Sequence, residues 1–162
     1  MKSLTLKNDV FIVLYNVRSV QNVASIFRTV DCLGIPNIFL VGYTPTPVDR
    51  FGRARKDFTK VSLGAEQTVA WKQFATMSQV LRAFKEREVF TIAVEQATGS
   101  KDYKKIKPQF PVAFIFGNEV EGIPEKILTQ CDVVAEIPMH GKKESLNVSV
   151  AAGIALAQML NR

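Results

Sequence analysis

The strongest constraint on the fold is a set of apolar, β-branched runs that recur along the chain and are apolar on both faces. They are VFIVLY (10–15), NIFLVG (37–42), VFTIAVE (89–95), PVAFIFG (111–117) and DVVAEIP (132–138), with TVAW (68–71) a weaker candidate. Strands that do not alternate between apolar and polar residues are typical of a parallel sheet covered on both sides. Such a sheet needs helices between its strands, which indicates an α/β fold.

The segments between these runs have helical periodicity. Helices are predicted over 21–34, which Gly34 closes, over 75–87, from Pro124 through Leu128, and over 146–160. Residues 43–65 form the one long stretch without a predicted element. The chain has 162 residues, of which 47% are hydrophobic, and is most simply one domain, 1–162. We expect a mostly parallel sheet with helices on both faces.

Positive charge is concentrated in two segments of a chain whose formal net charge is +6. One is RFGRARKDFTK (50–60) and the other is KDYKKIK (101–107). The candidate nucleic-acid contacts in the first are Arg50, Arg53, Arg55 and Lys56. Clustered cations bind nucleic acids by displacing counterions from phosphates. Solvated loops are the alternative interpretation of the same charges.

Composition also bears on the compartment and on metals. No apolar run approaches the ~20 residues of a membrane span, and MKSLTLKNDVFIVL lacks the length and cleavage site of a signal peptide. We therefore expect a cytoplasmic protein with no membrane partner. Cys32 and Cys131 form no C-x-x-C pair and His140 is the lone histidine, so no metal site is expected. Two buried thiols are favoured over a disulfide.

Polar residues in two segments occupy positions that suit chemistry. Arg28 lies opposite the apolar arc of the 21–34 helix, where a solvated arginine is the ordinary interpretation, and Asn22 is suited to cap that helix. FGNEVEGIP (116–124) follows a buried strand, where open α/β sheets bind ligands. It lacks the P-loop pattern, and Glu119 and Glu121 suit a cationic or hydroxyl-bearing ligand. A turn with solvated acids is the alternative.

The last chemical segment is IPMHGKKESLNVSVAAGIALAQML (137–160). Pro138 ends a strand, Gly141 lies in a loop, and either Ser145 or Asn147 is placed to cap the next helix. That helix has almost no polar face, and a terminal helix that is apolar all round must be buried on several sides. We therefore predict a homodimer with this helix at or near the interface.

Taken together, the three segments resemble the SpoU/TrmH class of SPOUT RNA methyltransferases. The motifs that carry the resemblance are NVASIFRTVDCLGIPNIFLVG, FIFGNEVEGIP and IPMHGKKESLNVSVAAGIAL, in that order. SLGAE at 62–66 is also similar to the class. The resemblance covers about 10–160 and implies a C-terminal deep trefoil knot with S-adenosylmethionine bound in it. It also implies the homodimer predicted above.

The resemblance further implies roles for individual residues. Arg28 is the residue associated with activating a ribose 2′-hydroxyl of tRNA or rRNA, with tRNA the favoured substrate; it acts either as a general base or by stabilising phosphate and alkoxide charge. The residues that orient it and the substrate are Asn22, Glu119, Ser145 and Asn147. The residues expected around the cofactor are Val94, Glu95, Gly117, Ile137, Met139, Ser145 and Leu146. The basic segment 50–56 would contact RNA, and no metal is needed.

Two alternatives remain open. The chain could be a catalytically silent RNA-binding member of the same fold, although it retains the residues named above. It could also be an unrelated α/β enzyme or nucleotide-binding domain, which predicts a glycine-rich loop after the first strand. That position reads YNVRSVQNVAS, with no glycine. We expect no separate RNA-binding domain, so target choice would rest on this domain, its dimer partner or another protein.

Overall fold

The computed structural model describes residues 9–162. The prediction that the chain has no signal peptide depends in part on the first eight residues, which lie outside this range. Seven strands in the described part form one sheet, and all of their pairings are parallel. They are β1 (Val10–Tyr15), β2 (Asn37–Val41), β3 (Ala70–Phe74), β4 (Phe90–Val94), β5 (Lys101–Asp102), β6 (Val112–Phe116) and β7 (Val133–Glu136). Their order across the sheet is β3-β2-β1-β6-β4-β7-β5. The predicted α/β class with a parallel sheet is confirmed.

Helices cover both faces of this sheet. They are α1 (Val20–Cys32), α2 (Lys56–Ser62), α3 (Ala65–Thr68), α4 (Met77–Glu86), α5 (Glu125–Leu128) and α6 (Val148–Leu160). One core contains buried residues of α1, α2, α3 and α6, such as Phe27, Phe58 and Leu156. The other core contains buried residues of α4 and α5, such as Phe84 and Ile127. Alternate residues of β1 enter opposite cores, which is why the strand is apolar on both faces.

The N-caps of two helices show that one predicted capping residue was wrong and decide between the two candidates for the other. The N-cap of α1 is Ser19, whose Oγ accepts a hydrogen bond from the Asn22 amide at 3.2 Å, so Asn22 is not the cap. Gly34, at φ +62°, directly follows the cap residue Leu33, in a conformation that glycine adopts without strain. At the start of α6 the N-cap is Asn147, whose Oδ1 accepts from the Ser149 amide at 2.9 Å.

Three further predictions need correction. The stretch 43–65 is not wholly irregular, because α2 begins at Lys56 and α3 at Ala65. β3 begins two residues later than the predicted 68–71 strand, and the short β5 was not predicted. Cys32 is exposed and Cys131 is half-buried, so the expectation of two buried thiols is wrong for Cys32 and only partly met by Cys131; both cysteines are free.

The described residues were also searched for membrane and metal features. No helix within 9–162 combines the length and the hydropathy needed to cross a bilayer. Over the same range, no three His, Cys, Asp or Glu side chains converge in a way that could bind a metal ion.

Candidate active site

A cavity of about 230 Å³ opens at the carboxyl ends of strands in the sheet. It lies where β4, β6 and β7 end, and these strands are neighbours in the sheet. The residues that line it are Val94, Glu95, Gln96, Phe116, Gly117, Asn118, Glu119, Val120, Gly122, Ile137, Met139, Ser145, Leu146, Val148 and Ala151. The first turns of α6 therefore close a cavity at the carboxyl ends of parallel strands, the common ligand position in open α/β sheets.

All seven residues that the sequence analysis assigned to the cofactor line this cavity. They come from three separate parts of the chain: the end of β4, the loop after β6 and the 137–146 loop after β7. Of the residues assigned to catalysis, Glu119 and Ser145 also line it. Ser145 is exposed and does not cap α6.

The loop after β6 requires a glycine at position 117 for its own packing. A Cβ at Gly117 would lie 2.6 Å from Ile123 Cγ1 and 2.7 Å from the Gly122 carbonyl carbon, both far too close. Glu95 binds the same loop, since its Oε2 accepts a hydrogen bond from the Ile123 amide at 3.0 Å. The predicted ligand contacts Glu95 and Gly117 thus also shape the wall of the cavity.

Asn118 organises this loop, and the sequence analysis did not single it out. It is buried; its Nδ2 donates to the Asn16 carbonyl and to the Tyr43 hydroxyl, each at 2.9 Å. Its Oδ1 accepts from the Val120 and Glu121 amides, each at 2.8 Å. An asparagine directly after a strand often binds the backbone two residues on, and this turn chemistry was the available signal. The partners across the sheet could not be read from it.

A hydrogen-bonded chain joins three of the predicted catalytic residues. Glu119 Oε1 accepts from Asn22 Nδ2 at 3.0 Å, and Asn22 Oδ1 accepts from Asn147 Nδ2 at 3.1 Å. These bonds connect the loop after β6, the first turn of α1 and the N-cap of α6. The three sequence motifs therefore meet beside the cavity.

Glu119 also binds the start of α1 directly. Its carboxylate accepts from the Arg18 amide at 2.8 Å and from the Ser19 amide at 3.0 Å. Burial alone would raise the pKa of Glu119, but these hydrogen bonds and the one from Asn22 together outweigh it. They hold the pKa below the ordinary carboxyl value, so Glu119 is a carboxylate at neutral pH.

Arg28 lies apart from this cluster. It is exposed on α1, six residues after Asn22, which is about 9 Å along a helix. It does not line the cavity, and within the part of the chain that the structure describes it has no ion pair. The structure therefore brings Asn22, Glu119 and Asn147 together, while Arg28 lies on the neighbouring exposed face of α1.

The cavity has an acidic and apolar character. Its only charged lining residues within 9–162 are Glu95 and Glu119. Ile137, Met139 and Leu146, which follow β7, contribute apolar lining to the same cavity. Such a lining favours a cationic group next to a flat apolar one and disfavours a phosphate.

The four candidate RNA contacts of the basic segment lie beyond the end of β2, and two of them are already paired with carboxylates. Arg53 Nη2 lies 2.8 Å from Asp49 Oδ2, and Arg55 Nη2 lies 2.8 Å from Asp57 Oδ2. The Arg55 side-chain hydrogen bonds lower the pKa of Asp57. Arg50 and Lys56 are exposed and make no ion pair with other described residues, so these two offer their whole charge to a ligand.

Comparison with known proteins gives a consistent family. A model described as the SpoU rRNA Methylase family matches residues 9–157. The 23S rRNA (guanosine-2'-O-)-methyltransferase of Neisseria meningitidis is 29% identical over 147 residues, which are 91% of this chain and 56% of that protein. The tRNA (guanosine(18)-2'-O)-methyltransferase of Thermus thermophilus is 30% identical over 151 residues, 91% of this chain and 72% of that one.

Solved structures show the same fold. The AdoMet-bound rRNA methyltransferase of Sinorhizobium meliloti superposes with a TM-score of 0.87 at 28% identity, over 96% of this chain and 57% of that one. The chain thus spans less than two thirds of the length of the Neisseria and Sinorhizobium proteins. Since the family model extends from residue 9 to residue 157, the chain belongs to the SpoU rRNA Methylase family.

Proposed function

We propose that the protein transfers a methyl group from S-adenosylmethionine to a ribose 2′-hydroxyl of tRNA or rRNA. The observation that carries the proposal is the meeting of the three family motifs at one acidic cavity, through the Glu119–Asn22–Asn147 hydrogen bonds. Relatives named as 2'-O-methyltransferases of both tRNA and 23S rRNA support the reaction. We favour tRNA as the substrate class.

The cavity suits this cofactor chemically. Backbone groups of Ile137, Met139 and Leu146 would surround the adenine ring, and the acidic residues Glu95 and Glu119 would face the cationic groups of the cofactor. When bound, S-adenosylmethionine supplies a methyl group already activated by its positive sulfur, so the proposal requires no metal. The N-terminal part of α6 and the 137–146 loop would exclude water from the same space.

The remaining site residues would act by positioning the acceptor. Asn22, Glu119 and Asn147 form a rigid hydrogen-bonded group beside Ser145, which faces the cavity. A guanidinium stays protonated far above neutral pH and is a poor general base. We therefore assign Arg28 to the phosphate next to the acceptor and to the developing alkoxide, whose negative charge it would stabilise.

We infer that the C-terminal segment is knotted. β7 lies between β4 and β5, although the chain has already gone from β4 to β5 and back to β6 before it reaches β7. After β7 the chain lines the cavity between strand ends, and α6 then packs against both α1 and the 3-10 turn at Tyr103–Lys105. This course between earlier elements supports a deep trefoil knot, which is a rare exception to the rules of chain connection.

We also infer a homodimer. Part of α6 is buried within the chain, through Ala152, Ala155, Leu156 and Met159. The opposite side of the helix leaves Val150 48% and Ile154 37% exposed. Exposed large apolar side chains on a helix that lines the candidate site support a second copy of the chain as the cover.

Methyl transfer from labelled S-adenosylmethionine to separate pools of tRNA and rRNA that lack native modification tests the proposal. We expect a 2′-O-methyl nucleoside from one pool after digestion and nucleoside analysis. Absence of transfer to both pools, with cofactor and RNA still bound, would contradict the enzymatic function and support the silent RNA-binding interpretation.

The variant Arg28→Ala tests the assignment of that residue. We expect methyl transfer to fall by about 100-fold or more, because a preorganised charge beside the developing alkoxide is lost. Cofactor affinity, measured by calorimetry, should stay unchanged since Arg28 does not line the cavity. Gln21→Ala is the matched control, since Gln21 is exposed on the same face of α1. A large loss of cofactor affinity in Arg28→Ala would refute the assignment.

A further inference from the structure

Two exposed aromatic side chains lie beyond the end of β2, and the proposed reaction does not use them. Tyr43 is 56% exposed and Phe51 is 66% exposed. Both line one hollow, and apolar surface that is grouped and rimmed by polar residues often marks an interaction site. Tyr43 lies two residues after β2, at the carboxyl end of the parallel strands where the candidate active site also lies, and Phe51 lines a hollow together with Tyr43.

Two guanidinium groups lie against the ring of Phe51. The Cζ atoms of Arg50 and Arg53 lie 4.7 Å and 5.0 Å from the centre of its ring. Arginine guanidinium planes and aromatic rings are the two side-chain types on which unpaired nucleobases stack. The group combines both with positive charge for the phosphates that accompany each base.

Asp49 holds this group in place before any ligand arrives. Its Oδ1 accepts from the Phe51 amide at 2.8 Å and from the Arg53 amide at 3.0 Å, and its Oδ2 accepts from Arg53 Nε at 2.8 Å. The hydrogen bond from the Arg53 amide is the main reason that the pKa of Asp49 is lowered. A loop fixed in this way loses little further freedom on binding, which favours affinity.

Two hollows that share lining residues define a path from the cofactor cavity to Phe51. A hollow lined by Arg18, Tyr43, Asn118, Val120 and Glu121 shares Asn118 and Val120 with that cavity. A second hollow, lined in part by Arg50, Phe51 and Arg53, shares Tyr43 with the first. The path crosses from the end of β6 past β1 to the end of β2, which is about 10 Å for two strand spacings.

We propose that unpaired RNA follows this path, with one base stacked on Tyr43 and another on Phe51 and its flanking arginines. The inference rests on the proposed function for the choice of RNA, and it adds that the substrate is read as a single strand. Tyr43 is fixed for this role because its hydroxyl accepts a hydrogen bond from Asn118, the residue that shapes the cavity loop. A base on Tyr43 would be adjacent to the nucleotide that enters the candidate active site.

The test uses a single-stranded oligoribonucleotide of roughly 12 nucleotides, without self-complementarity and with one central 2-aminopurine, and the same strand annealed to its complement. We expect the full-length protein to bind the single strand more tightly than the duplex and to quench the 2-aminopurine emission. Phe51→Ala should weaken single-strand binding by roughly 5- to 150-fold. The dependence of its affinity on salt should not change, because no charge is removed.

Further variants separate stacking from unrelated damage. Phe51→Trp retains a ring and should bind like the unaltered protein, and Tyr43→Phe should bind better than Tyr43→Ala. Phe110→Ala is the matched control. Phe110 is also exposed, but it precedes β6 and so lies at the amino ends of the parallel strands, away from the candidate active site. Unchanged affinity in Phe51→Ala, or equal binding of single strand and duplex, would overturn the proposal.

The failure of this inference is distinguishable from failure of the proposed function. Stacking-dependent binding without methyl transfer to any RNA pool would refute the function and leave the single-strand path intact. Methyl transfer by Phe51→Ala and Tyr43→Ala with unaltered KM for RNA would support the function and exclude the path.

Discussion

Glu119 is the residue on which the geometry of the candidate site most depends. Its carboxylate accepts hydrogen bonds from Arg18, Ser19 and Asn22, and these bonds hold its pKa below the ordinary value although burial acts to raise it. A carboxyl whose pKa is lowered on folding stabilises the native state at neutral pH. This contribution is lost as the pH falls through the folded-state pKa.

Glu119→Gln should therefore lower the free energy of unfolding at pH 7 by no more than about 1 kcal/mol, because Glu119 is exposed and solvent screens its charge. The difference from the unaltered protein should shrink as the pH falls below the ordinary carboxyl range, because Glu119 becomes protonated and neutral there. Urea unfolding at a series of pH values measures this difference. A constant difference down to strongly acidic pH would refute the assigned role of the charge. Glu121→Gln, in the same loop, is the control.

The two thiols offer a second prediction at the residue scale. Cys32 is exposed, whereas burial, and to a lesser degree the charge of Asp132, raises the pKa of Cys131 to about 11. Because the thiolate is the reactive form, we expect one fast-reacting thiol per chain with a disulfide reagent at pH 8. Cys32→Ser should abolish the fast phase. Two thiols that react at the same rate would contradict the described burial of Cys131.

Site residues could be predicted where the signal was local and not where it depended on distant partners. Gly117, Met139 and Ser145 were assigned to the cofactor through the resemblance of their local motifs to the SpoU/TrmH class, and the structure brings them to one cavity. Asn118 and Tyr43 were missed because their importance comes from a hydrogen bond between residues that are far apart in the chain. No periodicity or spacing records such a contact.

At the scale of elements, too, helices and strands with a local apolar pattern were predicted, and those that depend on distant contacts were not. The 21–34 helix and the five apolar strands were predicted because each carries its own apolar pattern. α2 was missed since it is short and its N-cap, Arg55, makes no side-chain cap hydrogen bond. It is stabilised instead by tertiary packing, with the rings of Phe58 and Phe27 edge to face at 5.2 Å.

The α6 helix yields a prediction about assembly. Ala155 is buried within the chain, so Ala155→Glu should unfold the protein by placing a charge in the core, at a cost of several kcal/mol. Val150→Lys changes the exposed side and should leave the fold intact while converting the dimer to a monomer. Light scattering and circular dichroism measure the two properties separately.

Leu63→Lys is the control for the α6 variants, because Leu63 is an exposed apolar residue next to α2, away from α6. It should change neither the mass nor the melting temperature. A Val150→Lys protein that stays dimeric would exclude this side of α6 from the interface.

At the scale of the whole molecule, the two basic segments lie toward opposite edges of the sheet, one near β3 and the other near β5. The segment 50–56 follows β2 near the β3 edge, while Lys104 and Lys105 lie in the 3-10 turn after the edge strand β5. The sequence analysis described both segments as basic clusters but placed its candidate RNA contacts only in the first. The proposed RNA path runs from the cavity toward β2, so only the first segment should contribute to binding.

The salt dependence of RNA binding tests this asymmetry. The double variant Arg50→Ala, Lys56→Ala removes the two of the four candidate RNA contacts that make no ion pair with other described residues. The slope of log affinity against log salt should become less negative by about 1.4–1.8. Lys104→Ala combined with Lys105→Ala removes the same charge at the other edge and should leave the slope unchanged. If both double variants flatten the slope equally, the RNA contacts the carboxyl ends of the strands across the whole width of the sheet. If only the lysine pair does, the path lies toward β5 and the assignment to β2 is wrong.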